Sequence, residues 1–164
     1  MRAIGLCASL LALGCAAPGG SSPQEPAPRA APHAEEHGAG TQSLNAFAGG
    51  SQEVGDRDGG TFGVDYEYRL APRWGVGGFA ETIAGLERSF AVGAQAYWHA
   101  VDELVLVAGP GLERSHEDWS GILRVGGFYE FSLGDGWVLS PAIFYDFTEH
   151  DDILIYGLNL GYIW

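Results

Sequence analysis

Four stretches of this chain gather side chains that ligate metals or act on bonds. His33-Ala34-Glu35-Glu36-His37 carries the letters H-x-x-E-H. On one face of a rigid helix that spacing offers zinc two imidazoles beside a carboxylate. Here it lies in a stretch with Pro23, Pro26, Pro28 and Pro32, which gives no such helix, so weak metal capture is the most it offers. Ser115-His116-Glu117 is the tight Ser/His/acid cluster. Neighbouring residues on a strand point to opposite faces, so these three do not form a triad by themselves. A Ser and a His two apart on a strand would share a face, and the sequence contains no such pair. His116-Glu117-Asp118 and Glu149-His150-Asp151-Asp152 would suit a divalent cation through their carboxylates, or else remain hydrated acidic loops. No cofactor is implied, and the reading is non-enzymatic.

The segments that would hold these groups begin with a leader. One charge at Arg2 precedes an apolar run from Ala3 to Leu13, too short for a membrane-spanning helix, which needs roughly 20 residues. Residues 1–14 read as a signal peptide. The sequence Ala12-Leu13-Gly14-Cys15 resembles a bacterial lipoprotein cleavage site, which implies lipidation of Cys15. Ordinary signal-peptidase cleavage near Ala17 is the alternative. Cys7 lies within the leader, so neither outcome leaves a disulfide framework. Residues 15–43 are rich in Pro, Ala and Gly and read as a disordered tether. The chain has 21 Asp+Glu against 8 Lys+Arg, all eight of them Arg, for a net charge of −13. That balance excludes nucleic acid as a partner, since phosphates need a basic surface.

From Leu44 the sequence divides into eight segments: 44–52, 60–70, 74–83, 88–99, 104–113, 121–132, 137–147 and 153–164. Turn residues separate them, as in an all-β barrel. Their alternation has one apolar and one polar parity. Phe62, Val64, Tyr66, Tyr68 and Leu70 oppose Asp65, Glu67 and Arg69. Trp137, Leu139, Ile143, Tyr145 and Phe147 oppose Ser140 and Asp146. An Arg on the lipid face of a membrane barrel costs about 2–4 kcal/mol at mid-depth, so the polar parity is expected to face inward.

Threaded up and down, Trp74, Trp98, Trp137 and Trp164 fall at one end and on the apolar parity, with Tyr162 beside them. Trp and Tyr favour a membrane–water interface. Trp137 to Phe147 spans about 25 Å of height at a tilt near 40°, the thickness of an apolar membrane band. Connections at the Trp end are short (Ala71-Pro72-Arg73, Ala100-Val101-Asp102-Glu103, Leu133-Gly134-Asp135-Gly136). Those at the other end, 50–59, 85–87, 115–120 and 148–152, are read as polar, mostly longer loops, with Trp119 an exposed contact residue. Pro110 and Pro141 fall inside strands, where bulges are expected to absorb them.

The final strand, with Tyr162 third from the end and terminal Trp164, resembles the C-terminal signal of bacterial outer-membrane proteins. Residues 44–164 resemble the small eight-stranded barrels of the OmpA, OmpX and opacity-protein kind. The resemblance implies an eight-stranded antiparallel up-and-down transmembrane β-barrel, preceded by a disordered linker, in the bacterial outer membrane. It also implies outer-membrane lipids and the barrel-assembly machinery as partners, a monomer, and a structural, surface-interaction or minor solute-passage role. The inward set is then Asp65, Glu67, Arg69, Glu81, Gln95, Glu113, Arg124, Glu130, Asp146 and Asn159. It is read as a salt-bridge network filling the lumen, with a gated pore or proton-responsive core as the functional alternative. His99 is expected to pack at an interface or in the lumen. A lipocalin-like, lipid-anchored barrel binding an apolar ligand is the competing reading. It inverts the faces and puts the aromatics inside.

Overall fold

The computed structural model describes residues 38–53, 57–84, 88–115, 118–148 and 152–164. Cys15, the whole His33–His37 motif, His116, Glu117 and the 149–151 loop lie outside the described residues, as do the signal peptide and the tether up to residue 37.

Alternating side chains and hairpin turns give nine strands: β1 (Gln42–Glu53), β2 (Arg57–Ala71), β3 (Trp74–Ala84), β4 (Ser89–His99), β5 (Leu104–Ser115), β6 (Asp118–Tyr129), β7 (Phe131–Gly134), β8 (Trp137–Thr148) and β9 (Ile153–Ile163). All pairings are antiparallel between sequence neighbours, β1 pairs with β9, and β6 also pairs with β8. The sheet therefore closes on itself. β6 and β7 are two parts of one barrel strand, so the architecture is a closed eight-stranded up-and-down barrel. Closure removes the unpaired edges that an open sheet exposes. At the seam Gln42 and Trp164 exchange backbone hydrogen bonds of 2.9 and 3.0 Å.

Three expectations need correction. The first concerns the prolines. No bulge accommodates either one. Beside Pro110 the β4–β5 pairing lapses between Gly93↔Gly111 and Ala96↔Ala108, and the register resumes unchanged. Beside Pro141 the strand lapses between Phe128↔Ala142 and Phe131↔Leu139, again without a shift. Each proline lacks an N–H, so the ladder loses bonds on one side while the other neighbour stays paired, at Pro110↔Leu123 and Pro141↔Leu158. Pro141 is thus the reason β6 and β7 are separate segments.

The second concerns loops. The β1–β2 ladder continues to Glu53↔Arg57 and the β5–β6 ladder to Ser115↔Asp118. Antiparallel pairing outruns the apolar pattern, because polar residues at a hairpin tip still exchange backbone bonds. The connections at that end are as short as those at the Trp end, and Trp119 belongs to β6 rather than to a loop. The third is a boundary: β1 starts at Gln42, two residues before Leu44, and Ser43 is buried.

At the Trp end, the β7–β8 hairpin turns through Asp135 and Gly136, at φ 52° and 81°. Positive φ at both central positions matches the right-handed twist of the flanking strands, and Asp-Gly tolerates it.

Candidate functional site: the barrel interior

Strand parity sorts the side chains into two populations. Phe62, Leu70, Ile143, Leu158 and Leu160 are exposed on the outside, while Asp65, Glu67, Arg69, Glu81, Arg124, Glu130 and Asp146 are buried inside. Aromatics are not confined to the outer wall. Phe47, Phe79, Tyr97, Phe128 and Phe144 also pack inside, with Val105, Val107 and Ile155.

Arg124 lies at the centre of one interior group. β6 and β8 place it directly across from Asp146. Its Nε donates to Asp146 Oδ1 at 2.7 Å and its Nη2 to Oδ2 at 2.6 Å. Its far side reaches Glu81 on β3, where Nη1 donates to Oε2 at 3.0 Å and Nη2 to Oε1. The planar fork thus holds two carboxylates, a geometry a lysine could not reproduce. The guanidinium carbon sits 3.8 Å from the Phe79 ring centroid and 5.3 Å from that of Phe144.

A second group lies toward the Trp end. Arg69 Nη2 approaches His99 Nδ1 at 3.0 Å, and His99 Nε2 approaches Glu67 Oε1 at 2.8 Å. A guanidinium can only donate, so Nδ1 must accept. The imidazole proton then sits on Nε2 and is donated to Glu67, which makes His99 a neutral link between a cation and a carboxylate. Beside it, Asn45 Nδ2 donates to Asp65 Oδ1 at 2.9 Å. Tyr97 Oη receives Gln95 Nε2 at 2.7 Å and donates to the Tyr66 carbonyl at 3.2 Å. Glu130 is buried at the lapse opposite Pro141 and Ser140.

The seven named lumen residues therefore divide. Glu81, Arg124 and Asp146 form one unit; Glu67 and Arg69 join through His99 and also directly, with Arg69 Nε 3.7 Å from Glu67 Oε1; Asp65 belongs with Asn45; Glu130 is buried beside the lapse at Pro141. His99, Asn45 and Tyr97 are partners that the sequence reading did not place in the network. Their signal was parity, since Tyr97 and His99 share the inward face of β4 with Gln95.

Glycines make room for this interior. A Cβ on Gly75 would fall 2.0 Å from Glu67 Oε1 and 2.7 Å from its Cγ and Cδ. The Gly75→Ala variant is expected to push Glu67 off His99 and to lose about 1–3 kcal/mol through overpacking, read from urea unfolding of the folded barrel.

At the other extreme of polarity, Trp74 and Trp98 lie directly across from each other and stack with centroids 6.2 Å apart. Trp137 meets Tyr162 at 5.2 Å, and Tyr162 stacks on Trp164 at 6.1 Å. All five rings are exposed on the outer wall.

A closed eight-stranded antiparallel barrel with a salt-bridged interior and an apolar exterior has the architecture of small outer-membrane barrels. Among solved structures it is similar to neisserial surface protein A, with a TM-score of 0.63 and 12% identity over 77% of this chain and 99% of that one. The N-terminal barrel domain of Pseudomonas aeruginosa OprF matches with a TM-score of 0.62 and 11% identity, covering 78% and 100%. Ail, the attachment invasion locus protein of Yersinia pestis, matches at 0.58 and 18%, covering 77% and 99%. No protein-family model and no curated protein sequence matches the chain.

Proposed function

We propose that this chain is a non-enzymatic outer-membrane β-barrel protein of Gram-negative type. The observation that carries the reading is the polarity of the wall. Buried charge faces in, and the outer face is apolar around the whole circumference, from Val64 and Val76 through Leu106 and Leu123 to Ile143, Leu158 and Leu44. Soluble monomers rarely expose an apolar patch beyond roughly a few hundred Å². Hydrocarbon is the solvent in which that surface costs nothing, and a closed barrel satisfies the backbone there. Trp74, Trp98, Trp137, Tyr162 and Trp164 form the interfacial girdle at one end. The lipocalin-like alternative needs the opposite facing, with these rings inside.

Within the membrane, the role supported best is structural. The Arg124 group ties β3 to β6 and β8 across the lumen, and the side chains that fill an eight-stranded interior leave solute passage at most a minor role. The short hairpins leave little loop surface, so contacts with other molecules would use the rims and the wall. The last strand, ending in Tyr162 and Trp164, is the segment offered to the assembly machinery, and the barrel is expected to be a monomer among lipids.

The test is the behaviour of isolated outer membranes on SDS gels. The protein is expected to resist carbonate extraction and to migrate differently before and after boiling. Release by carbonate together with a migration indifferent to heat would overturn membrane insertion.

A further inference from the structure

The outer wall carries almost no charge. Among the described strand residues, its outward parity holds two charged side chains, Asp58 near the start of β2 and Arg114 near the end of β5. Arg114 is paired directly with Phe90 on one side and Trp119 on the other. Its guanidinium carbon lies 5.9 Å from the Trp119 ring centroid. Arg88 is exposed two residues before Phe90, on the same outward parity. Phe90, Arg114 and Trp119 therefore adjoin on β4, β5 and β6 at the rim opposite the tryptophan girdle, with Arg88 just ahead of β4 on the same parity.

The wall beneath them is shaped as well. Gly121 faces outward two residues below Trp119 and pairs with Leu112, and the space where its Cβ would stand has nothing within 4 Å. The wall below Arg114 is therefore open at Gly121, beside apolar Leu112.

From this arrangement we infer that the Arg88–Arg114–Trp119 rim is a binding site for the phosphate headgroup of an anionic membrane lipid, with an acyl chain along the apolar wall at Gly121 and Leu112. The inference rests on the membrane reading above and adds a specific ligand class. Each part has a chemical reason. Guanidinium offers paired N–H donors to phosphate oxygens. The indole N–H of Trp119 is a further donor, and its ring prefers the interfacial level. A long arginine stem can lie along apolar wall while its head stays at headgroup height. The chain as a whole carries −13, so its average field repels anionic lipid. A preference for such lipid must therefore come from a local site.

The experiment is native mass spectrometry of the full folded chain in a neutral detergent, titrated with phosphatidylglycerol or phosphatidylcholine. The variants are Arg114→Gln, Arg88→Gln and, as a control of equal charge change in the Trp-end turn, Arg73→Gln. The first phosphatidylglycerol is expected to bind roughly fivefold more tightly than phosphatidylcholine, the scale of one basic residue at a lipid surface. Arg114→Gln and Arg88→Gln should each bring the ratio down, and Arg73→Gln should leave it unchanged. Excess inorganic phosphate should not displace the bound lipid. Equal binding of the two lipids by the wild type, or an equal loss in Arg73→Gln, would overturn the site. Complete displacement by inorganic phosphate would overturn the lipid assignment. The heat-dependent gel shift is recorded on the same samples. A shift without lipid preference removes the site alone, whereas no shift in the wild type removes the membrane reading and the site with it.

Discussion

Arg124→Met is expected to destabilise the barrel by about 3–5 kcal/mol, the scale of removing one partner from a buried ion pair. The loss comes from what remains behind. Glu81 and Asp146 would face each other in the lumen without the guanidinium that now bonds both. Methionine fills much of the volume beside Phe79 and Phe144, so packing contributes little of the effect. The triple variant Arg124→Met, Glu81→Gln, Asp146→Asn should therefore recover most of the lost stability, because it removes the charges along with their partner. Urea titration of protein folded into phosphatidylcholine vesicles, followed by the gel shift and Trp fluorescence, reads both. If Arg124→Met unfolds at the same urea concentration as the wild type, the group is not what ties β3 to β6 and β8. If the triple variant is as weak as the single one, shape rather than charge carries the effect.

The arrangement behind that expectation was partly legible in the sequence. Period-two alternation placed Glu81, Arg124 and Asp146 on the inward parity of their strands, since a side chain's face depends only on its position along the strand. Which inward residues meet depends on register between strands. Asp146 lies opposite Arg124 because the β6–β8 pairing aligns Leu123 with Phe147 and Val125 with Tyr145, and alternation within one strand carries no information about that alignment. The same limit hid His99, which parity places inward and only the third dimension brings to Arg69 and Glu67.

The prolines and hairpin tips were misread for a different reason. A missing N–H at Pro110 or Pro141 can be absorbed by a bulge or by a simple lapse in bonding, and the two cannot be told apart from the residue type. The unchanged register around both shows the lapse. Polar tips such as 51–53 and 57–59 looked like loop because hydrophobicity fades there, yet backbone bonding does not need apolar side chains. The consequence reaches function. The loop-length asymmetry that would have told one end of the barrel from the other disappears, and the Trp girdle and the arginine rim are left as the features that distinguish them.

The variant that best separates a membrane barrel from a soluble one is Leu158→Arg. Leu158 lies at the middle of β9, on the outer wall, half exposed. In water, a substitution at such a position stays within about 0.5 kcal/mol of neutral. In a bilayer the same position is near mid-depth, and an arginine there costs about 2–4 kcal/mol. Leu154→Arg, on the same face but four residues nearer the rim, should cost no more than about 1 kcal/mol, because the arginine reaches the interface. The two variants carry identical charge and chemistry, so the difference between them reports depth in an apolar slab. Urea unfolding from vesicles measures it directly. A large loss at Leu158 with a small one at Leu154 is the expected outcome. Equal, near-zero effects at both would mean that the apolar belt faces water or another protein surface, and the proposed place of this barrel in a membrane would fall.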